Sequence, residues 1–250
     1  MEEILAYKSP SLLADIPSHF CPGCHHGTVH KLVAQCLEEL DLSDDTICVG
    51  SIGCSVFIYN YLLLDTVEAP HGRAPAVATG VKRSRSDKFV FTYQGDGDLA
   101  SIGLAEIMHA ANRGEKISVV FVNNTVYGMT GGQMAPTTLI GQKTTTCPGG
   151  RCSDREGQPM KMAEIIAGLG GVSYSARVAV NNMKNLKKAK KALKKAFEIQ
   201  KSGRGFGFVE FLASCPTNWK MTSTAANERL ENEMIPYFPL GVFKDVQGEL

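Results

Sequence analysis

Two apolar runs of strand length, 88–93 (Lys-Phe-Val-Phe-Thr-Tyr) and 117–122 (Ile-Ser-Val-Val-Phe-Val), bracket a stretch with the spacing of a helix. Leu99, Ile102, Ala105, Ile107, Met108 and Ala111 recur at helical intervals, and Gly114 supplies the stop. Strand–helix–strand order joins the two strands by a crossover, which makes them parallel. The fold class that follows is α/β, an open, mostly parallel sheet with helices on both faces. The first strand ends in Gly95-Asp96-Gly97-Asp98, read as a tight turn, and the second in Asn123-Asn124. Parallel pairing puts Asp96 beside the asparagine pair at the carboxyl ends of adjacent strands, where open α/β sheets bind ligands.

These residue types suit a divalent cation carrying a diphosphate. Mg²⁺ takes oxygen ligands, commonly one or two from protein with phosphate and water completing the octahedron. Asp96 offers a carboxylate, Asn124 an amide oxygen and Val126 a backbone carbonyl. Gly95 and Gly97 let the backbone come close, and the amides opening the next helix face the diphosphate. Gly-Asp-Gly alone reads as an ordinary tight turn. With the asparagine pair one strand away, it resembles the diphosphate-binding motif of thiamine diphosphate enzymes, in which Asp96, Asn124 and the Val126 carbonyl match the metal ligands.

Four of the 8 cysteines stand where strand ends can gather them: Cys21 and Cys24 in Cys-Pro-Gly-Cys, Cys54 after the strand 46–50, and Cys215 after the strand 207–213. Four thiolates suit a 4Fe–4S cluster. Zinc, a redox dithiol and unlinked buried cysteines remain rival readings of the same pattern.

Taken together, Cys21-Pro-Gly-Cys-His-His-Gly27, Ser51-Ile-Gly-Cys-Ser55, His71-Gly-Arg-Ala74, Gly95-Asp-Gly-Asp98, 123–133 (Asn-Asn-Thr-Val-Tyr-Gly-Met-Thr-Gly-Gly-Gln) and Ser214-Cys-Pro216 resemble the β subunit of 2-oxoacid:ferredoxin oxidoreductases over nearly the whole chain. The stretch 132–146 is most similar to the branched-chain members, which oxidise 2-oxoisovalerate. The resemblance implies thiamine diphosphate held by Ile52, Gly53, Cys54, Ser55, His71, Gly72, Arg73, Ala74, Gly97, Asp98, Gly128, Met129, Thr130, Gly131, Gly132 and Gln133. It implies Mg²⁺ on Asp96, Asn124 and Val126, and a 4Fe–4S cluster on Cys21, Cys24, Cys54 and Cys215. The activity implied is oxidative decarboxylation of a 2-oxoacid with coenzyme A to acyl-CoA and CO₂, with electrons passing through the cluster to ferredoxin or a ferredoxin-like subunit. His71 and Arg73 would polarise or position substrate and cofactor, and Thr130 and Gln133 would border the reacting carbon.

Thiamine enzymes also need a carboxylate against the pyrimidine ring, and no glutamate here takes that role. The resemblance assigns it to a companion subunit carrying the pyrimidine-binding domain, so the chain alone is expected to be inactive. Met129 and Gly131 offer no cation for a second carboxylate, which favours a branched-chain substrate over 2-oxoglutarate, with pyruvate and aryl pyruvates as further alternatives. Two other classes compete: a non-redox thiamine diphosphate decarboxylase subunit, and an iron–sulfur or zinc protein without catalysis.

Composition sets limits. With 250 residues, 44% of them hydrophobic, the chain can fill one α/β core without disulfides, and 1–250 is read as a single domain with a cysteine knuckle at one end and an interface tail at the other. No apolar run reaches about 18 residues, so no membrane span is expected. Met1-Glu-Glu-Ile4 lacks the basic start of a signal peptide, and many cysteines without a secretion signal suit a reducing cytoplasm. A net charge of +1 gives no bulk attraction for nucleic acid.

Elsewhere the pattern predicts helices over 26–40, 74–85, 160–169, 183–201 and 225–233, a strand over 172–178, and a long loop over 130–159. The strand 207–213 is read as the last, followed by an irregular end laid on a partner. The lysines of 184–201 read as a solvated helix face rather than a docking patch for ferredoxin. Cys147 and Cys152 read as free loop cysteines, Cys36 and Cys48 as core, and His109 as structural.

Overall fold

The computed structural model describes residues 8–246; the reading of Met1–Ile4 and residues 247–250 of the expected tail lie outside the described residues. In chain order the first elements are α1 (His26–Glu39), β1 (Thr46–Gly50), α2 (Ile58–Tyr61), β2 (Asp65–Glu68), α3 (Ala74–Ser84) and β3 (Phe89–Gly95). A π-helical turn, Asp98–Ile102, leads into α4 (Leu104–Asn112), then come β4 (Ser118–Asn123), β5 (Val126–Tyr127) and β6 (Gln133–Met134). The second half holds α5 (Ser153–Glu156), α6 (Met162–Ala167), β7 (Val172–Ala179), α7 (Met183–Lys201), β8 (Phe206–Leu212), α8 (Pro216–Trp219), α9 (Ser223–Arg229), α10 (Ile235–Tyr237) and β9 (Gly241–Asp245).

Seven strands form one sheet in the order β2-β1-β3-β4-β8-β7-β9, parallel except where β9 runs against β7. Every residue of β4, β7 and β8 is buried, as befits strands covered on both faces. One face packs on α1 and α7, through Val29, Leu32, Val33, Leu193 and Phe197. The other packs on α3, α4 and α6, through Ala78, Ile107, Ala110 and Ile166. A third apolar group, with Val126, Leu212, Trp219, Leu230 and Phe238, seats the C-terminal helices over the carboxyl ends of the strands.

The expected βαβ unit is present, with Phe91–Gly95 paired in parallel to Ser118–Val122. Three expectations change. Gly95-Asp96-Gly97-Asp98 is not a tight turn, because Gly97 is already right-handed helical (φ −67°, ψ −21°) and the strand runs straight into the π-turn. The strand 207–213 is not the last, because the tail returns to the sheet as β9, pairing Tyr174–Arg177 with Gly241–Asp245. The helix expected over 160–169 shortens to Met162–Ala167.

The loop 130–159 is held from inside. The Arg151 guanidinium, 5% exposed, donates to the carbonyls of Ala135, Pro136, Thr138, Glu156, Gly157 and Gln158. One planar fork thus satisfies six backbone acceptors that a loop of this length would otherwise leave to water. Cys147 is buried within this loop and Cys152 half-buried, both free, while Cys36 and Cys48 lie in the core. His109 sits exposed in the last turn of α4.

Candidate cofactor and metal site

A cleft opens at the carboxyl ends of β1, β3 and β4, lined by residues that include Ile52–Ser55, His71, Gly95–Asp98, Asn124 and 126–130. Asp96 and Asn124 both face it and both are buried. The Asp96 carboxylate accepts from the Gly97 amide at 2.9 Å and from the Thr137 hydroxyl at 2.5 Å. Burial nevertheless pushes its pKa up to about 7. A metal ion beside this carboxylate would offset that burial. Asn124 Oδ1 accepts from the Val126 amide at 3.2 Å, which folds 124–126 into a compact turn around Thr125 at φ +64°. Gly97 is required for a steric reason: a Cβ there would lie 2.5 Å from Tyr127 Cε1.

Asp98 is the node of the cleft. Its buried carboxylate accepts from Ser51 Oγ at 2.9 Å, the Gly72 amide at 2.5 Å, His71 Nδ1 at 2.5 Å and Gln94 Nε2 at 2.5 Å. Four donors converge from the end of β1, the loop before α3, and β3. A carboxylate so engaged holds the walls of the cleft in place, and Asp98 is itself among the residues that line it. It also selects a tautomer of His71: Nδ1 carries the proton given to Asp98, and Nε2 is left for the cleft. Gly72 at φ +78° lets its amide reach Asp98, and a Cβ there would lie 2.7 Å from the Gly103 nitrogen.

Of the four thiols Cys54 lines the cleft, and Cys21, Cys24 and Cys215 are close enough to act on it or on one another electrostatically. The Cys24 amide donates to the Cys21 carbonyl at 2.9 Å, closing the knuckle through Gly23 at φ +78°. Ser214 ties the knuckle to the end of β8, its hydroxyl donating to the Gly23 carbonyl at 2.8 Å and its amide to His25 Nδ1 at 3.2 Å. Pro216 opens α8 directly after Cys215, so Asn218 comes back one turn to donate to Cys215 Sγ at 3.2 Å and to the Gly128 carbonyl at 2.8 Å. Trp219 Nε1 donates to the Asn124 carbonyl at 3.1 Å. Burial, with the neighbouring thiols adding, pushes Cys24 up to about 12 and Cys54 to about 11. Cys215 is raised as well, chiefly by burial. A Cβ at Gly128 would lie 3.2 Å from Cys54 Sγ, 3.8 Å from Cys215 Sγ and 3.7 Å from Asn124 Nδ2.

The expected residues do not all converge. Arg73 turns away to pair with Glu106 on α4. Gly72, Ala74, Gly131, Gly132 and Gln133 are not among the residues lining the cleft. Thr130 and Gln133 bond each other, the Thr130 hydroxyl donating to Gln133 Oε1 at 2.6 Å and Gln133 Nε2 to the Thr130 carbonyl at 2.8 Å. Sequence reasoning missed Ser51, Gln94, Thr137, Asn218 and Trp219. For Asn218 a signal existed: Cys-Pro-Thr-Asn reads as a helix start with Asn218 three residues past the cysteine.

A parallel sheet with a buried carboxylate–amide pair in a cleft at its carboxyl end is the architecture of a ligand-binding α/β protein. In agreement, the family model described as "Thiamine pyrophosphate enzyme, C-terminal TPP binding domain" matches residues 51–211. The chain is 47% identical over all of its length to the ketoisovalerate oxidoreductase subunit VorA of Methanothermobacter marburgensis, covering 52% of that protein. It is 36% identical to the 2-oxoglutarate synthase subunit KorB of Methanocaldococcus jannaschii, over 81% of this chain and 71% of the relative. A 2-oxoglutarate:ferredoxin oxidoreductase from Magnetococcus marinus, solved with 2-oxoglutarate, coenzyme A and succinyl-CoA bound, superposes with a TM-score of 0.76 at 25% identity, covering 98% of this chain and 87% of that one. The chain therefore belongs to the family of thiamine pyrophosphate-binding 2-oxoacid oxidoreductase subunits. It spans about half the length of the VorA relatives.

Proposed function

We propose that the chain is the cofactor-holding subunit of a 2-oxoacid:ferredoxin oxidoreductase that converts a branched-chain 2-oxoacid such as 2-oxoisovalerate, with coenzyme A, to acyl-CoA and CO₂. The observation that carries this reading is the neighbourhood of Gly128. The Asn124 side-chain amide, through Nδ2, and two thiols, Cys54 and Cys215, all lie within 3.8 Å of where a Cβ on Gly128 would stand. A decarboxylase without redox function has no use for that adjacency. The branched-chain assignment rests on VorA relatives at 47% and 48% identity, named for ketoisovalerate, against 36% for a KorB relative named for 2-oxoglutarate.

In this reading Asp96, Asn124 and the Val126 carbonyl hold Mg²⁺, and the cleft loops hold the diphosphate. Thiamine diphosphate, when bound, supplies the carbon nucleophile and electron sink that decarboxylation needs. Asp98 keeps the 51–55 and 71–74 segments in place and presents His71 Nε2 to the reacting end. Cys21, Cys24, Cys54 and Cys215 hold a 4Fe–4S cluster. A four-iron cube accepts thiols spaced more widely than the ligands of a single zinc ion. Its iron would also offset the burial that raises Cys24, Cys54 and Cys215. Replacing Cys215 by alanine is expected to remove most iron and acid-labile sulfide from anaerobically prepared protein while Mg²⁺-dependent thiamine diphosphate binding persists. Unchanged iron content would remove Cys215 from the cluster.

The cleft encloses only about 90 Å³, less than the ~300 Å³ or more of a drug-sized ligand pocket. Its rim carries Met129, 44% exposed, and its walls hold no glutamate. Both features suit a cofactor closed in by a companion subunit that supplies the pyrimidine-binding domain and the activating glutamate. Eight free cysteines suit a reducing compartment such as the cytoplasm, and no helix among the described residues is long and apolar enough to cross a membrane. Assaying the assembled complex with a panel of 2-oxoacids and a viologen acceptor tests the proposal. Branched-chain substrates are expected to give the highest kcat/KM, the isolated chain is expected to give no turnover, and a clear preference for 2-oxoglutarate would overturn the substrate assignment.

A further inference from the structure

The helix α7 divides its lysines between two sides. Lys190 and Lys194 pair with Glu39 of α1, and Lys201 donates to the Leu40 carbonyl. Lys184, Lys187, Lys188 and Lys191 are exposed, and among the described residues none of these four has an ion pair or hydrogen bond. Lys188 and Lys191, with Lys195, edge a groove of about 560 Å³ between α7 and the sheet strands β7 and β9. Its floor is apolar: Ala176, Val178, Ala192 and Leu240, with Val242 57% exposed. Val242 stands in register beside Ala176, so the apolar face of the sheet continues onto β9, where Val242 is exposed. Asp245 is the acidic residue in the lining, and it faces Lys195 at 3.8 Å.

An apolar floor beside two unpaired lysines, Lys188 and Lys191, selects an occupant that is acidic and carries some apolar surface. Position favours an electron carrier over other acidic proteins. Ala179, at the carboxyl end of the groove, pairs with Leu212, three residues before Cys215. At ~4.8 Å between strands and ~3.3 Å per residue, that end lies within roughly 15 Å of Cys215 along the chain. We infer that this groove docks a small acidic, one-electron carrier protein, which receives electrons leaving through the cysteine group. The inference rests on the reading of the chain as an electron-releasing subunit. Conversion of a 2-oxoacid anion and the thiol of coenzyme A to thioester and CO₂ releases one proton and two electrons. Two carrier molecules, each reduced by one electron, therefore dock in succession, which favours a weak, salt-sensitive contact made by rim charges.

The test uses the assembled complex bearing Lys188→Glu and Lys191→Glu, neither residue being part of the cofactor cleft. Turnover is followed with a purified acidic ferredoxin and, separately, with methyl viologen. The expected result is a KM for ferredoxin raised about tenfold or more at low salt, the gap narrowing as salt is added, with viologen turnover within about twofold of the parent. Equal ferredoxin KM in parent and variant would overturn the docking site. So would a variant that no longer assembles with its companion subunit or changes oligomeric size, since either result assigns the groove to a permanent interface. A parent complex that reduces neither acceptor would instead remove the oxidoreductase reading on which the inference stands.

Discussion

Asp96→Asn is expected to weaken Mg²⁺-dependent thiamine diphosphate binding by about 100-fold or more, equivalent to about 2.7 kcal/mol, and to abolish turnover of the assembled complex. Asparagine keeps one oxygen for the Gly97 amide, and the Thr137 hydroxyl, which now donates to the other carboxylate oxygen, can turn to accept from the new amide nitrogen, so the shape of the strand end survives. What disappears is the negative charge. In the metal-free protein that charge is a burden, since burial raises the carboxyl to about 7. The variant is therefore expected to unfold at the same temperature as the parent, or higher, without metal, and to lose the stabilisation that Mg²⁺ and thiamine diphosphate give the parent. Calorimetric titration and thermal melts with and without the cofactor check both halves. Retained affinity would remove Asp96 from the metal site, and a lower melting temperature without metal would show a structural role instead.

The second large effect concerns the charge pair behind the site. Arg177 and Glu210 are fully buried on neighbouring strands, with Arg177 Nε donating to Glu210 at 3.0 Å. The same carboxylate accepts from Asn123 Nδ2 at 2.8 Å and from the Ala163 amide at 3.1 Å. The rest of the Arg177 guanidinium goes to Glu164 and to the Pro239 carbonyl. Removing one member of such a pair leaves the other charge in a dry interior, at a cost of about 3–5 kcal/mol. Arg177→Met is expected to lower unfolding free energy by that amount in urea. Arg177→Met combined with Glu210→Gln removes both charges and keeps an acceptor for Asn123, so it is expected to recover at least half. A double variant no more stable than the single would mean that hydrogen-bond geometry, not the isolated charge, dominates. Because Asn123 precedes Asn124, the single variant is also expected to weaken thiamine diphosphate binding.

Elements with strong periodicity on both faces of the sheet were legible in the sequence. The strand 46–50 and the helix 183–201 carry the expected bounds, and the βαβ unit with Asp96 and Asn124 in one cleft follows the apolar runs that bracket it. What escaped were the edges. In β2 (Asp65–Glu68) and β9 (Gly241–Asp245) no residue is buried, so neither imposes the apolar pattern that marks an inner strand. Site residues were legible where chemistry dictates the side chain and illegible where packing does. Gly97 is a glycine for the sake of the Tyr127 ring rather than a turn, and Arg73 goes to Glu106. Asp98 works through four protein donors, a role that no local spacing encodes.

The four residues of α8 have a consequence for durability. Cys215 immediately precedes this short segment, Asn218 grips Gly128, and Trp219 grips Asn124. In the proposed enzyme, damage that strips iron from the sulfur ligands loosens the same strap that steadies the pyrophosphate end. Exposure to air would then erode vitamin retention together with electron flow, and refilling the iron would have to come before the coenzyme could be held firmly again.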